Sequence, residues 1–89
     1  MATPNQTIDF GTFILSLAGS AMMHLGQVPD PHGATVETNL EMARQTIDIL
    51  TMLRDKTHGN LDGHEAVLLE KVLHDTRVAY VNQAQKASV

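Results

Sequence analysis

The chain has 89 residues, no cysteine, and a formal net charge of −4 from 6 basic and 10 acidic residues. That length makes one small domain with a limited core, and the lack of cysteine excludes disulfides, zinc–thiolate sites and cysteine nucleophiles. The acidic balance, with Arg44, Arg54, Lys56, Lys71, Arg77 and Lys86 scattered along the chain, disfavours nucleic acid, whose phosphates call for clustered positive charge.

Residues 1–7 read as a polar, flexible leader. Met1–Gln6 lack the basic segment of a secretory signal, and with no cysteine the expected compartment is the cytoplasm. Thr7 or Asp9 is placed to cap a first helix running to about Leu25, with Gly26 as its stop. At about 100° per residue, Phe10, Phe13, Ile14, Leu17, Ala18, Ala21 and Leu25 form one stripe, widened by Leu15 and Met22. The other side carries Thr12, Ser16, Gly19, Ser20 and Met23, small rather than charged, and no charge occurs from Gly11 to Met23. A membrane span is disfavoured because the apolar stretch falls short of about 18–20 residues and is interrupted by Ser16, Gly19, Ser20 and His24. A membrane-surface helix would need lysine or arginine on its polar face. The preferred reading is a helix covered on more than one side, its small face admitting close approach of another helix.

Residues 26–38 form the one substantial loop, punctuated by Pro29, Pro31 and Gly33. It is long for a bundle connection and is expected to cross over the bundle, with a partner-binding surface at Pro29–Thr38 as the alternative. Thr38 and Glu41 have capping-box spacing, so a second helix is expected from Thr38. Leu40, Ala43, Ile47 and Leu50 make one apolar line on it. Met42, Ile49 and Leu53, with Met52 alongside, make a second. Glu41, Arg44, Asp48 and Asp55 form a charged edge with helical pairing distances.

Gly59 follows this helix where a left-handed cap is wanted. Asp62 and Glu65 then repeat the capping-box spacing, so a short turn should join an antiparallel helical hairpin. The third helix is expected from about Gly63 to Gln83, with Ala66, Leu69, Val72, Leu73, Thr76 and Tyr80 as its core stripe. Residues 84–89 read as a flexible tail, leaving 8–83 as a single helical domain. No strand pattern appears.

Three pieces carry a family resemblance: Phe13–Ala18 with Ala21 and Leu25-Gly26; Ala43 with Ile47–Leu50, Leu53, Lys56-Thr57 and Gly59–Leu61; and Glu65, Leu68, Leu69, Leu73 and Arg77 before Tyr80-Val81. In these the chain resembles the bacterial domain-of-unknown-function family 1844. The central piece, Ile47 to Leu61, is the specific one. The resemblance implies a small helical bacterial protein and transfers no site.

Five histidines are many for this length, but no histidine follows His64 by four residues, so the metalloprotease pattern is absent. The His58–His64 turn, with Asp62 between, is the alternative reading: a metal- or small-ligand-binding site. Arg44, Arg54, Lys56 and Arg77 would carry nucleic-acid binding if there were any. Arg77 is the best candidate for a specific polar contact, expected with an acid on a neighbouring helix. No catalytic triad, phosphate loop, dinucleotide fingerprint or carboxylate pair is present, so no enzyme and no cofactor is expected. The reading is therefore an all-α, three-helix interaction or scaffold protein that works as a homo-oligomer, dimer or tetramer. Thr12, Ser16, Gly19, Ser20, Met23, Met42, Ile49 and Leu53 are its expected interface, and an unidentified protein partner is also allowed.

Overall fold

The computed structural model describes residues 8–27 and 38–88. Among them lie three helices and no strand: α1 (Phe10–His24), α2 (Leu40–Lys56) and α3 (Gly63–Ser88).

The helix ends follow from local chemistry. Asp9 caps α1, its Oδ1 accepting from Thr12 N–H at 2.8 Å. Gly26 ends it with φ of 72°, and a Cβ there would also come within 3.0 Å of Thr38 Oγ1, so the site favours glycine on both counts. At the α2–α3 turn, Gly59 has φ of 85°. Asp62 Oδ1 accepts from Glu65 N–H at 2.8 Å while Glu65 Oε1 accepts from Asp62 N–H at 3.1 Å, the reciprocal box the spacing predicts. The start of α2 differs from expectation. Its cap is Asn39, whose Oδ1 accepts from Met42 N–H at 3.0 Å. Thr38 lies one residue too early, and its hydroxyl instead faces Gln83 Nε2 at 3.5 Å.

Contacts between the helix ends set their directions. A Cβ on Gly11 would lie 3.4 Å from Leu68 Cδ2, and Gln83 Nε2 donates to Leu25 O at 2.8 Å. The start and end of α1 thus lie beside the start and the later part of α3, so these two helices run parallel. Asn39 N–H donates to His24 O at 2.7 Å, and Arg77 Nη2 donates to Thr51 Oγ1 at 2.8 Å, so α2 runs against both. The connection expected to cross over the bundle therefore returns to the end it left. Residues 28–37, with most of the proposed Pro29–Thr38 partner surface, lie outside the described residues.

Ile14, Ile47, Leu50, Leu69, Val72 and Leu73 form the buried cluster, with Phe10, Leu17, Ala18, Leu53, Leu61, Leu68 and Tyr80 packed against it. Each helix supplies one line, spaced by three or four residues as a covered helical stripe requires. Thr76 is fully buried, and its hydroxyl donates to Val72 O in its own helix at 2.8 Å. Two expectations are corrected at the margins. Ala66 is exposed because it falls at the edge of the α3 stripe, and Phe13 is 42% exposed for the same reason on α1. The third helix also runs on through residues 84–88, read from sequence as a tail.

Truncating Leu50, which is fully buried at the centre, should cost about 2–5 kcal/mol in urea denaturation. Asn39→Ala should cost about 1 kcal/mol and Thr38→Ala under roughly half that, which would separate the true cap from its neighbour.

Candidate functional site

The surface follows from which edge of each helix meets which neighbour. Gly11, Thr12 and Leu15 of α1 line a groove of about 480 Å³ with His64, Val67, Leu68 and Lys71 of α3, so this edge of α1 looks to α3. The opposite edge, carrying Phe13, Leu17 and Ser20, looks to α2. On α2, Thr51 meets Arg77, and Arg54 lies 3.8 Å from Glu70. The far edge of α2, carrying Met42 and Ile49, therefore looks to α1. With Asn39 N–H on His24 O, the shared rise of about 1.5 Å per residue brings Phe13 level with Leu50, beside Ile49, and Ser20 level with Ala43, beside Met42.

These edges make one continuous uncharged face. Phe13 is 42% exposed, Met42 and Ile49 41% each, and Met52 50%. Beside them, Thr12, Ser16, Gly19 and Met23 fall within about 40° of the direction opposite Ile14 on α1. Ser16 and Gly19 are exposed, Ser20 and Met23 half-buried. Nothing lies within 4 Å of a Cβ built on Gly19, so no contact within the chain requires glycine there. Thr12 is exposed, but its hydroxyl donates to Asp9 Oδ2 at 3.1 Å and belongs to the cap. Leu53 sits elsewhere than expected: it is half-buried against the core cluster, because its position on α2 lies nearer the core line than Ile49 does. Phe13 and Met52 join the face. Phe13 reads as core by hydrophobicity alone, and only its place at the edge of the stripe hints otherwise.

The other candidate positions are dispersed. His58 and His64 are both exposed, and among the described residues no group of three or more His, Asp or Glu side chains is placed to hold a metal ion. A groove of about 290 Å³ at the turn is lined by Arg54, His58, Gly59 and Glu70. Arg54 lies 3.7 Å from Asp55 as well as near Glu70, so its charge is partly answered by acids. Arg44 pairs with neither Glu41 nor Asp48; among the described residues the ion pairs are those of Arg54 and the Lys71–Asp75 pair at 2.9 Å. The contact expected between Arg77 and an acid is instead its bond to the Thr51 hydroxyl, which itself donates to Ile47 O at 3.0 Å. No helix among the described residues is long and apolar enough to cross a membrane.

The family described as Domain of unknown function (DUF1844) matches residues 7–82. No curated protein and no solved structure matches the chain.

Because Arg77 is exposed and its partner Thr51 is neutral, Arg77→Ala should lower stability by no more than about 1 kcal/mol, read by thermal melting at a fixed protein concentration.

Proposed function

The chain belongs to the DUF1844 family, whose description names no activity, and we propose from its surface that it is a non-enzymatic helical interaction protein working as a homo-oligomer through the uncharged face of α1 and α2. One observation carries this reading. From Gly11 to Met23 the first helix has no charge, yet only Ile14 and Ala21 within it are buried. A helix without a charged side is stable in water when more than one of its sides is covered, and the described residues leave Thr12, Phe13, Leu15, Ser16 and Gly19 exposed.

A second copy suits this face better than a charged partner does. The chain carries a net charge of −4, which opposes approach of two copies at long range, and an uncharged face adds no local electrostatic cost to that. Two adjacent helices over the length of α1 span a patch of about 22 by 20 Å, in projection roughly half of the ~800 Å² per partner of a standard interface, which is the size of a small, concentration-dependent contact. Two-fold symmetry is the default for such a contact. Ser16, Gly19 and Ser20 allow close approach of the backbones, while Phe13, Met42, Ile49 and Met52 supply the apolar area. A further protein partner would then bind the assembled oligomer elsewhere.

Light scattering across a concentration series is the test. The chain should exceed monomer mass. Ile49→Glu and Gly19→Lys, both at exposed positions, should each lower that mass while circular dichroism keeps its helical signal. A wild-type monomer at every concentration would sink the reading.

A further inference from the structure

The outer side of α3 is a separate surface with its own pattern. A groove of about 430 Å³ runs along it, floored by the buried Leu73 and lined by Glu70, His74, Arg77, Val78 and Val81. Val67 is 70% exposed, Val78 46% and Val81 51%. Measured around the helix from His74 at about 100° per residue, these valines lie within roughly 40° of it. Glu70 and Arg77 fall on one edge of this stripe, Lys71 and Asp75 on the other.

We propose that this stripe pairs with the same stripe of a second copy, antiparallel, about a two-fold axis crossing α3 beside Leu73 and His74. It rests on the proposed self-association, but on a different face. The register of the charges fits such a pairing. A two-fold axis perpendicular to the helix keeps each edge on its own side and reverses direction along it. Glu70 then meets Arg77 of the second copy, and Arg77 meets its Glu70, when the axis lies midway between residues 73 and 74. Lys71 meets Asp75 of the second copy when the axis lies at residue 73. The two independent requirements differ by half a residue, about 0.8 Å along the helix. The same placement seats Val67 between the Val78 and Val81 positions of the second copy. One axis therefore satisfies both charged edges and the apolar stripe.

The side chains are available for this. Glu70 is 62% exposed and its contact with Arg54 is long, at 3.8 Å; Lys71 and Asp75 pair with each other at 2.9 Å but are 70% and 44% exposed, so this pair would exchange partners across the axis. Arg77 gives Nη2 to Thr51, and a guanidinium has five N–H donors. A parallel pairing would also bring opposite charges together, Glu70 with Lys71 and Arg77 towards Asp75, but it would align the two helix dipoles unfavourably, and the test below distinguishes the two patterns. A contact between single helices covers less than the roughly 800 Å² per partner of a standard interface, so this is the weaker association step, and with the α1–α2 face it takes a dimer towards a tetramer.

Sedimentation equilibrium over a concentration series, at low salt, tests it on the full chain with E70R, R77E, the double variant E70R/R77E and V67E. Each single charge reversal should weaken one association step by roughly tenfold, and the double reversal should restore it because the exchanged charges meet again. V67E, at an exposed position, should weaken the same step with the fold intact by circular dichroism. If no step responds to the single variants, or if the double variant does not recover, the antiparallel pairing is wrong; the second result also identifies the parallel arrangement. A step that responds to Glu70 and not to Ile49 would uphold this face and overturn the α1–α2 face, and the reverse response would do the opposite.

Discussion

Three helices packed against one another cover one stripe of each and leave the remaining circumference to solvent. Among the described residues the covered stripes supply one buried cluster, Ile14, Ile47, Leu50, Leu69, Val72 and Leu73, with Ala21, Leu25 and Ala43 buried beside it. Everything else depends on how each helix meets that limit. α2 meets it with charge, setting Glu41, Arg44, Asp48 and Asp55 away from the core. α3 meets it with a mixed surface of valines and paired charges. α1 does not meet it at all: Ser16 and Gly19 stand exposed where a solvated helix would carry lysine or glutamate. A small domain already buries a modest fraction of its surface, so covering α1 from outside would add apolar burial beyond what α2 and α3 supply.

The polar wiring is concentrated at the two ends of the bundle. At one end Asp62 and Glu65 close the α2–α3 turn between themselves. At the other, three elements meet: His24 O accepts from Asn39 N–H and Leu25 O accepts from Gln83 Nε2. The last carbonyls of α1 would otherwise lack intrahelical partners; here α2 and α3 supply the donors. This junction sets α1 parallel to α3 and antiparallel to α2. It also separates the surfaces, with the uncharged face between α1 and α2 and the valine stripe on the outer side of α3.

Local chemistry was legible in the sequence where it was self-contained. Gly26, Gly59 and the Asp62–Glu65 box act over a few residues, and their spacing states their geometry. The Thr38–Glu41 spacing misled because Thr38 and Asn39 are both competent caps, and the choice between them depends on where α1 and α3 arrive. The connection at residues 26–38 misled for a related reason: its length describes how far it is able to reach, while the bond from Asn39 to His24 fixes how far it goes. The end of α3 lay beyond periodic hydrophobicity, since Gln83 is held by a tertiary hydrogen bond. For the candidate face, helical angle placed Ser16, Gly19 and Met42 correctly on the outside. It failed for Leu53 and Phe13, which sit at the borders of their stripes, where packing of the neighbour decides and the angle does not. The Thr51 partner of Arg77 lies on another helix and carries no charge to betray it.

The polar side chains of the interior are satisfied within their own helices. Thr46 and Thr76, the buried polar side chains, each donate to a carbonyl of their own helix, as do the half-buried Thr51 and Thr57. Among the described residues no buried side-chain nitrogen or oxygen is left without a partner. These hydroxyls are spent locally and serve to make threonine tolerable inside a helix. Specificity then falls to the surface, and there it takes two forms. On α1 and α2 it is the absence of charge, which admits a like face and resists nothing. On α3, in the pairing proposed above, it is complementary charge, Glu70 and Lys71 before Asp75 and Arg77, with direction set by the helix dipoles, which oppose a parallel approach. On the proposed assembly, the first kind of surface would supply stability and the second orientation.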